Sequence, residues 1–320
     1  MPRTVLPDAR VSPRFAGIST FCRYPRLQDV APDNRPCDWA IYGVPFDSGV
    51  TFRPGARFGP RAIRDASQYV KRFHLEHAVD VCDVLSIADA GDAPVNTYSL
   101  AATRDSVAAW ATSLADPSTR LFAVGGDHSV AYANIRATWE RLGRPAGGLA
   151  LAHFDAHLDT VDAVWGEQWG HASPFIRAIE DGLVDPRAMV SVGIRGPLNN
   201  PADLDFARAR AVRIITADAI HHSGPAPFRD ALTPLAGRPV YVSFDIDVLD
   251  PSVAPGTGTP CPGGLLLHQA FALLRALAGL DIRGGDVVEV LPDRDVSGIT
   301  ALAAAHILFE IIALDAARRR

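Results

Sequence analysis

Short apolar runs recur along the chain and alternate with longer segments in which apolar residues return with a helical period. Runs of this kind, bounded by Gly, Pro or Asp, are typical of strands that are buried on both faces of a sheet. They predict eight strands, which cover 39–45, 79–87, 188–194, 212–216 and 285–290 and the apolar first parts of 121–129, 149–159 and 241–250.

Helical segments fill the intervals between these strands. Ser99 fits a helix N-cap, and Pro60 and Pro174 fall at first turns, where Pro is tolerated. The predicted helices cover 61–73, 99–115, 130–142, 173–182, 201–210, 227–235, 268–277 and 299–316. Strands that alternate with helices form a parallel sheet covered on both faces. The predicted fold is therefore α/β, a three-layer α/β/α arrangement with a mostly parallel sheet of about eight strands.

The chain shows no internal repeat, linker or low-complexity segment that would divide it. Residues 1–38 are rich in Pro and Arg without a clear period, which favours an arm that lies on the surface or on a neighbouring subunit. Residues 39–320 are predicted to form one domain, since an α/β fold of this length can hold a single core.

Composition and charge argue against several classes of protein. The hydrophobic content of 48% and the charged content of 21% are ordinary for a globular protein, and the formal charge of -5 gives no electrostatic reason to bind nucleic acid or an anionic membrane. The four cysteines form neither a close pair nor a metal-ligand spacing, which favours a reducing compartment. No apolar run is expected to reach membrane-spanning length, and the N-terminus lacks the apolar core of a signal peptide. A cytoplasmic protein is predicted.

The stretch 149–159 carries the first candidate chemistry. Its apolar first half predicts a strand, and Asp155, His157 and Asp159 follow at alternate positions. Side chains two apart point to one side, so the three can converge past the carboxyl end of the strand, where open α/β sheets bind ligands. Two carboxylates and an imidazole held so close require a cation between them. The alternative is a polar loop in which three ionisable residues meet by chance.

Two further strands end in the same way. The run 241–250 delivers Asp245 and Asp247, and the run 121–129 breaks at two glycines and delivers His128. His and Asp without Cys favour Mn²⁺, Ni²⁺, Co²⁺ or Zn²⁺ over a thiolate site. Four Asp and two His exceed the needs of one metal ion, so two metals bridged by shared carboxylates are the economical interpretation.

The segments that carry these residues resemble a known family. Gly-Gly-Asp-His-Ser (125–129), Asp-Ala-His-Leu-Asp (155–159) and the longer run 243–260, which begins Ser-Phe-Asp-Ile-Asp-Val-Leu-Asp-Pro, are similar to the signature blocks of the ureohydrolases, the family of arginases and agmatinases. Further similarity lies in 53–64, 192–196 and 287–290, and the N-terminal 11–18 resembles the agmatinase-like branch. That branch includes proclavaminate amidinohydrolase, the guanidinobutyrases and the guanidinopropionases.

The resemblance implies a binuclear metal site, with two Mn²⁺ expected and Ni²⁺ or Co²⁺ possible. One ion would take His128, Asp155, Asp159 and Asp245, and the other would take Asp155, His157, Asp245 and Asp247. A hydroxide that bridges the metals would attack the carbon of a guanidino substrate and release urea and an amine. Asp155 would thus serve catalysis as a bridging ligand.

Two more residues match catalytic positions of the family. Glu289 matches the carboxylate that holds the guanidinium, and His171 matches the histidine that relays a proton to the leaving amine. Other interpretations stay open, since Glu289 could pair with a structural Arg such as Arg294 and His171 could cap the helix at Ser173. His153, inside the central strand, is interpreted as a core residue or a support for a metal ligand.

The chain departs from the family pattern where the substrate tail would lie. It has Val161 where many relatives that act on amino-acid-like tails have Asn, and it reads His-Ala-Ser-Pro-Phe (171–175) where relatives usually read His-Gly-Thr-Pro-Phe. Trp165 is expected to wall the pocket entrance together with Trp169. Val161 and Trp165 are therefore predicted to contact the substrate and to make its pocket more apolar.

Three functions compete at this point. The first is a ureohydrolase acting on an alkylguanidine, with nickel as a possible metal, and the resemblance implies a trimer or hexamer of identical subunits. The second is a deacetylase of the same fold with a single metal site, against which both His128 and Asp247 argue. The third is a non-catalytic subunit of an active paralogue, which should have lost ligands, whereas all six are present.

Overall fold

The computed structural model describes residues 2–320, and its main element is an eight-stranded sheet in which all neighbouring strands are parallel. The strands of the chain are β1 (Trp39–Val44), β2 (Phe73–His74), β3 (Val79–Asp80), β4 (Ile87–Asp92), β5 (Arg120–Gly125), β6 (Leu149–Phe154), β7 (Val184–Ile194), β8 (Arg213–Thr216), β9 (Pro239–Asp245) and β10 (Asp281–Val288). The sheet has the order β4-β1-β5-β10-β9-β6-β7-β8, and β2 and β3 form a separate antiparallel pair.

Helices cover both faces of this sheet. They are α1 (Gly59–Ala66), α2 (Val81–Val84), α3 (Leu100–Ser113), α4 (Ala131–Arg141), α5 (Pro174–Glu180), α6 (Asp205–Ala209), α7 (Ala217–Ser223), α8 (Ala226–Ala231), α9 (Leu267–Ala276) and α10 (Ile299–Arg319). The predicted fold class is confirmed. Ser99 is the N-cap of α3, and its hydroxyl accepts a hydrogen bond from the backbone N–H of Ala102.

The strand order explains how distant parts of the chain meet. The four adjacent strands β5, β10, β9 and β6 are those that precede the candidate metal and catalytic residues. Because the strands are parallel, their carboxyl ends lie at one edge of the sheet. Residues that are more than a hundred positions apart in the sequence, such as His128 and Asp245, can therefore lie in a single site.

The predicted strand 79–87 is wrong. Asp80 accepts hydrogen bonds from the backbone N–H groups of Cys82 and Asp83, and this cap starts the short helix α2. The strand begins only at Ile87 and runs through Asp89 to Asp92. Asp89 is tolerated in a buried strand because Arg64 donates to it at 2.9 Å and Phe21 N–H donates at 2.9 Å.

The bounds of several other elements also differ from the predicted ones. The helix predicted over 61–73 ends as α1 at Ala66, with one tighter turn at Ser67–Tyr69, and β2 begins at Phe73. Helix α7 was missed, although Thr216 caps it by accepting the N–H of Ala219. The strand predicted over 285–290 covers Asp281–Val288 instead, so Glu289 directly follows it.

The C-terminal segment Val296–Arg319 does reach membrane-spanning length, with a mean hydropathy of 1.8, contrary to the expectation from sequence. In the fold, 67% of its most apolar window is buried. It packs against α1, α9 and β10, so α10 serves as a core helix.

The N-terminal segment both packs on the core and presents apolar side chains to the surface. Phe21, Cys22 and Tyr24 are buried in the largest hydrophobic cluster. Phe15 is 94% exposed and Ile18 is 77% exposed. The division into an arm (1–38) and one domain (39–320) stays a prediction.

A buried carboxylate, Glu310, ties α10 to α9 and to the β2–β3 pair. Arg275 Nε donates to Glu310 Oε1 at 2.9 Å, and His74 Nε2 lies 2.9 Å from Oε2. His74 Nδ1 accepts the N–H of His77, so the ring proton lies on Nε2 and points to Glu310. Burial alone would raise the pKa of Glu310, but these two partners lower it to about 2.

We expect Glu310→Gln to destabilise the protein by about 2–3 kcal/mol at pH 7, because a charged acceptor is lost from a buried site. The folded-state pKa of Glu310 is depressed below the unfolded value of about 4.3, so its ionised form stabilises the fold above that pH and loses this effect as the pH falls toward 2. Urea unfolding at several pH values measures this. The difference from wild type should shrink below pH ~4, and Asp218→Asn, which removes an exposed acid, is the control.

Candidate metal centre and catalytic site

His128, the first predicted ligand, is held by a chain of buried hydrogen bonds from neighbouring strands. The Ser243 hydroxyl donates to Asp286 Oδ1 at 2.7 Å, and Tyr241 donates to Asp286 Oδ2 at 2.7 Å. Ser243 Oγ is therefore free to accept the Nε2 proton of His128 at 2.9 Å. This places the lone pair of His128 on Nδ1, where a metal ligand needs it.

The Nδ1 atom of His128 faces three carboxylates. Its distances to the nearest oxygens of Asp155, Asp159 and Asp245 are 3.1, 2.8 and 3.3 Å. The atom is buried and has no hydrogen-bond partner among the described residues. A lone pair surrounded by three carboxylates is a suitable donor set for a divalent cation, so these residues fit a metal.

A second group shares one carboxylate with the first. His157 Nδ1 lies 3.1 Å from Asp247 Oδ2 and 3.4 Å from Asp155 Oδ1. Asp155 thus directs one oxygen to each group, which is the placement expected of a bridging ligand. Asp245 belongs to the first group, and its Oδ1 accepts the N–H of Asp247 at 2.8 Å. The structure brings all six predicted ligands together in two overlapping groups.

His153 contacts the carboxylate of Asp155 and holds its orientation. Ser191 Oγ lies 3.0 Å from His153 Nδ1, and His153 Nε2 lies 2.9 Å from Asp155 Oδ2. A ring that donates from Nε2 fixes the orientation of the shared carboxylate, as partners of metal ligands do.

The protein alone does not balance the charge of this cluster. Burial, followed by the charges of Asp247 and Asp155, raises the pKa of Asp245 well above its ordinary value. Burial and the charge of Asp155 raise the pKa of Asp247 as well. Burial opposes protonation of His157, yet the charge of Asp247 raises its pKa. The raised pKa values of these three groups indicate that the cluster carries an excess of negative charge, which a bound cation would neutralise.

Glu289 lies next to the first group and is almost wholly buried. Its Oε1 accepts the backbone N–H of His128 at 2.9 Å and lies 2.9 Å from His171 Nδ1. Its Oε2 is buried without a hydrogen-bond partner among the described residues. Pairing with Arg294, the alternative from sequence, is not among its contacts across residues 2–320.

His171 bridges Glu289 and the loop after β1. The N–H of Thr51 donates to His171 Nε2 at 3.0 Å, and the Thr51 hydroxyl lies 2.7 Å from the same nitrogen. Burial opposes a charged ring, but the hydrogen bond to Glu289 and its charge raise the pKa of His171 to about 9. Ser173 is the N-cap of α5 without a side-chain cap, and His171 does not supply one.

A cavity of about 400 Å³ opens in front of these groups. It is lined by Asp159, Asp245, His157 and His171 at its inner side, and Val161 and Trp165 belong to its wall. Trp165 sits on a two-residue turn between Val164 and Glu167 and is 81% exposed. The structure thus places both residues predicted for the substrate tail beside the candidate centre, whereas Trp169 packs edge-on against Tyr132.

Several residues of the site were missed from sequence. Ser243 stands two positions before Asp245 on the same strand face, a spacing that could have identified it. Asp286 is an acid inside a buried strand, which is also a usable signal. No sequence signal links several other lining residues of the cavity to the site, namely Thr51, Pro197, Leu198, Asn199 and Asp203.

Comparison with known proteins agrees with this geometry. The model of the arginase family matches residues 37–313. The chain belongs to the arginase family. It is 41% identical over 306 residues to proclavaminate amidinohydrolase of Streptomyces clavuligerus, covering 95% of each protein. The solved structure of that enzyme superposes with a TM-score of 0.88 over 96% of this chain and 100% of its own.

Other relatives broaden the comparison. Guanidinopropionase of Pseudomonas aeruginosa is 43% identical over 309 residues, which cover 96% of this chain and 94% of that protein. The arginase from Bacillus caldovelox has a TM-score of 0.71 at 24% identity, covering 86% of this chain and 98% of that one, and so shares the fold. Membership of the family implies a binuclear divalent-metal centre, and the two ligand groups fit one.

We expect removal of metal by a chelator to lower the melting temperature by several degrees. A ligand that binds only the folded state stabilises it by about 2.7 kcal/mol at a hundredfold excess over Kd, and the carboxylate cluster repels itself without cations. Thermal unfolding, with metal content checked by elemental analysis, measures the effect. Asp245→Asn should bind less metal and respond less to the chelator. An unchanged melting temperature after verified metal removal would contradict the prediction.

Proposed function

We propose that this chain is an amidinohydrolase that cleaves a guanidino compound into urea and an amine. It is a hydrolase acting on the C–N bonds of linear amidines, as the names of its relatives indicate for those proteins. The observation that carries the proposal is Glu289, a buried carboxylate with one unpaired oxygen beside two His/Asp groups that fit metals. This combination supports binding of a cationic guanidinium close to a centre that activates water.

The proposed ligands are His128, Asp155, Asp159 and Asp245 for one ion and Asp155, His157, Asp245 and Asp247 for the other. Imidazole and carboxylate donors without thiolate support Mn²⁺, with Ni²⁺ or Co²⁺ as alternatives. When bound, two divalent cations supply a nucleophile from water at neutral pH.

Glu289 binds and orients the guanidinium. Its Oε1 is already engaged by His128 N–H and by His171, so the carboxylate cannot rotate freely. Its Oε2 is left to accept an N–H of the substrate, and hydrogen bonds between a guanidinium and a carboxylate are strong because both groups are charged.

His171 holds the proton that the leaving amine needs. A pKa raised to about 9 favours the protonated ring at neutral pH, whereas the hydrogen bond from the Thr51 N–H to Nε2 favours the neutral ring with its proton on Nδ1, toward Glu289. The Thr51 hydroxyl can donate to a bare Nε2 or accept from a protonated one, so it can follow a change in protonation. His171 is therefore suited to exchange a proton with the leaving amine.

Two other functions have less support. A deacetylase with one metal needs a single ligand group, whereas the second group around His157 and Asp247 is assembled as well. A non-catalytic subunit should have lost ligands, whereas the cluster keeps all six proposed ones.

The proposal extends to the oligomeric state of the protein and to its cellular compartment. We infer a cytoplasmic homo-oligomer, a trimer or hexamer, without nucleic-acid or membrane partners. The exposed side chains of Val11, Phe15 and Ile18 on the N-terminal arm support contact with a neighbouring subunit, and all four cysteines are free and buried, which agrees with a reducing compartment.

We expect Glu289→Gln to keep its metals and to lose urea release by roughly a hundredfold. Glutamine keeps the shape of the side chain, but a hydrogen bond to a charged partner worth about 1.5–3 kcal/mol is lost. The measurement is kcat/KM for urea release together with metal content. Glu76→Gln, at an exposed position, is the control. Turnover near the wild-type value in Glu289→Gln would make Glu289 a structural residue.

A further inference from the structure

A second cavity, of about 370 Å³, lies at the amino ends of β5 and β10, at the edge of the sheet opposite to the candidate metal centre. Three arginines line it, and we call it the arginine cavity: Arg120 at the start of β5, Arg283 near the start of β10, and Arg141 at the end of α4. No Asp, Glu or His is among its lining residues in 2–320. Because the whole chain has a formal charge of -5, this wall of positive charge is a local exception.

The strand register places two of these positive charges on neighbouring strands. Gly284 of β10 pairs with Leu121 of β5, so the residues that precede them, Arg283 and Arg120, lie side by side at the amino edge of the sheet. Arg120 Nε donates to the carbonyl of Ile282 at 2.9 Å, which keeps the two strands in contact there. Like charges on paired strands are unfavourable unless an opposite charge lies between them.

Nearby carboxylates neutralise this pair only in part. Arg283 Nε lies 3.2 Å from Asp281 Oδ2, but the two form no hydrogen bond and this buried Nε has no other partner in residues 2–320. Asp281 also lies 3.9 Å from Arg120 and 2.7 Å from Arg318, so three arginines share its charge. Arg120 has one further acid, Asp315, at 3.4 Å. The Arg283 side chain is 34% exposed, so a solute can reach it.

Arg141 has no ion pair with any residue in 2–320. Its guanidinium donates to backbone carbonyls that follow α3, among them those of Thr112 at 2.8 Å and Leu114 at 2.7 Å. Its Nε is buried without a hydrogen-bond partner among the described residues. Burial lowers the pKa of Arg141, and neither Tyr42 nor Asp116 raises it enough to cancel the effect. A guanidinium with an unused N–H and no counter-ion therefore forms part of the cavity wall.

We propose that the arginine cavity binds a small polyvalent oxyanion, a phosphoryl or carboxylate compound. Guanidinium groups bind both kinds of anion well, because their fork of N–H donors matches two oxygens at once. The volume of the cavity falls within the range of small-molecule sites. The anion supplies the negative charge that Arg120, Arg141 and Arg283 lack, and it stabilises the junction of α4 with β5 and β10. This site is separate from the metal centre, and the inference does not rest on the proposed function.

Binding is measured on intact, metal-loaded protein by titration calorimetry and by thermal unfolding. Inorganic phosphate and succinate are the probes, each compared with chloride at constant ionic strength. We expect at least one of the two divalent anions to bind and to raise the melting temperature, while chloride does neither. Binding of phosphate alone identifies a phosphoryl ligand, and binding of succinate alone identifies a carboxylate.

Substitutions at Arg283 locate the bound anion, because this side chain makes few contacts that the fold needs. Arg283→Gln should weaken binding at least tenfold, which corresponds to about 1.4 kcal/mol, and should abolish the rise in melting temperature. Arg283→Lys keeps the charge and should lose less affinity. The matched control is Arg213→Gln, which removes the same charge from an exposed position of β8 outside the cavity and should bind as the wild type does.

Three results would overturn the proposal. The first is that neither phosphate nor succinate binds better than chloride. The second is wild-type affinity in Arg283→Gln, which would place the anion elsewhere, for example at the metal centre. The third is an equal loss of affinity in Arg213→Gln and Arg283→Gln, which would show that the net charge of the protein, and not the cavity, attracts the anion.

Discussion

The rest of the structure depends on one electrostatic constraint, the gathering of four aspartates in a buried pocket. Asp155, Asp159, Asp245 and Asp247 are all buried, and such a group is tolerable only if positive charge lies between its members. The fold satisfies the constraint with two histidines from the same strand ends and with a donor set that fits divalent cations. A parallel sheet suits this task, because the carboxyl ends of β5, β6 and β9 supply the proposed ligands at one edge and β10, which lies between β5 and β9, supplies Glu289.

The supporting contacts link metal binding to substrate binding through single residues. Glu289 touches the backbone of His128 with the same oxygen that contacts His171, so the position of the carboxylate depends on the loop that carries a proposed ligand. Asp159 and Glu289 both have a positive φ, at 51° and 64°, a conformation that is uncommon for such side chains and that concentrates at functional sites. Asp127 fixes the neighbouring loop by accepting the N–H groups of Gly49 and Ser129. A small displacement of one loop would therefore disturb both halves of the proposed reaction.

The parts of the site that could be predicted from sequence are those encoded within a few residues. The apolar run 149–154 specifies β6 and so places the following acids at its carboxyl end. Asp155, His157 and Asp159 lie beyond the strand in irregular backbone, with Asp159 at a φ of 51°, so their convergence depends on this loop and not on strand alternation. The contact of Ser243 with His128 and Asp286 depends instead on how three strands align. The strand predicted over 79–87 was wrong for a related reason. The cap made by Asp80 turns the apolar residues 81–84 into a helix, and the ion pair of Asp89 with Arg64 allows a charged residue inside the strand that follows.

The elements that carry the proposed ligands differ from those that line the rest of the cavity. The proposed ligands and Glu289 follow directly on strands of the central sheet, where neighbouring strands fix them. Val161, Trp165 and Asp203 lie instead on the segments 160–170 and 197–204, which pack on the sheet only in part and leave Trp165 exposed. A substitution at Asp203 can change the charge of the cavity wall without moving a proposed ligand, because its side-chain hydrogen bond is made within its own turn, to the N–H of Asn200. Relatives at 36–43% identity are named for different guanidino compounds, which is the outcome expected if the strand ends that hold the metals are kept while the segments that line the cavity vary.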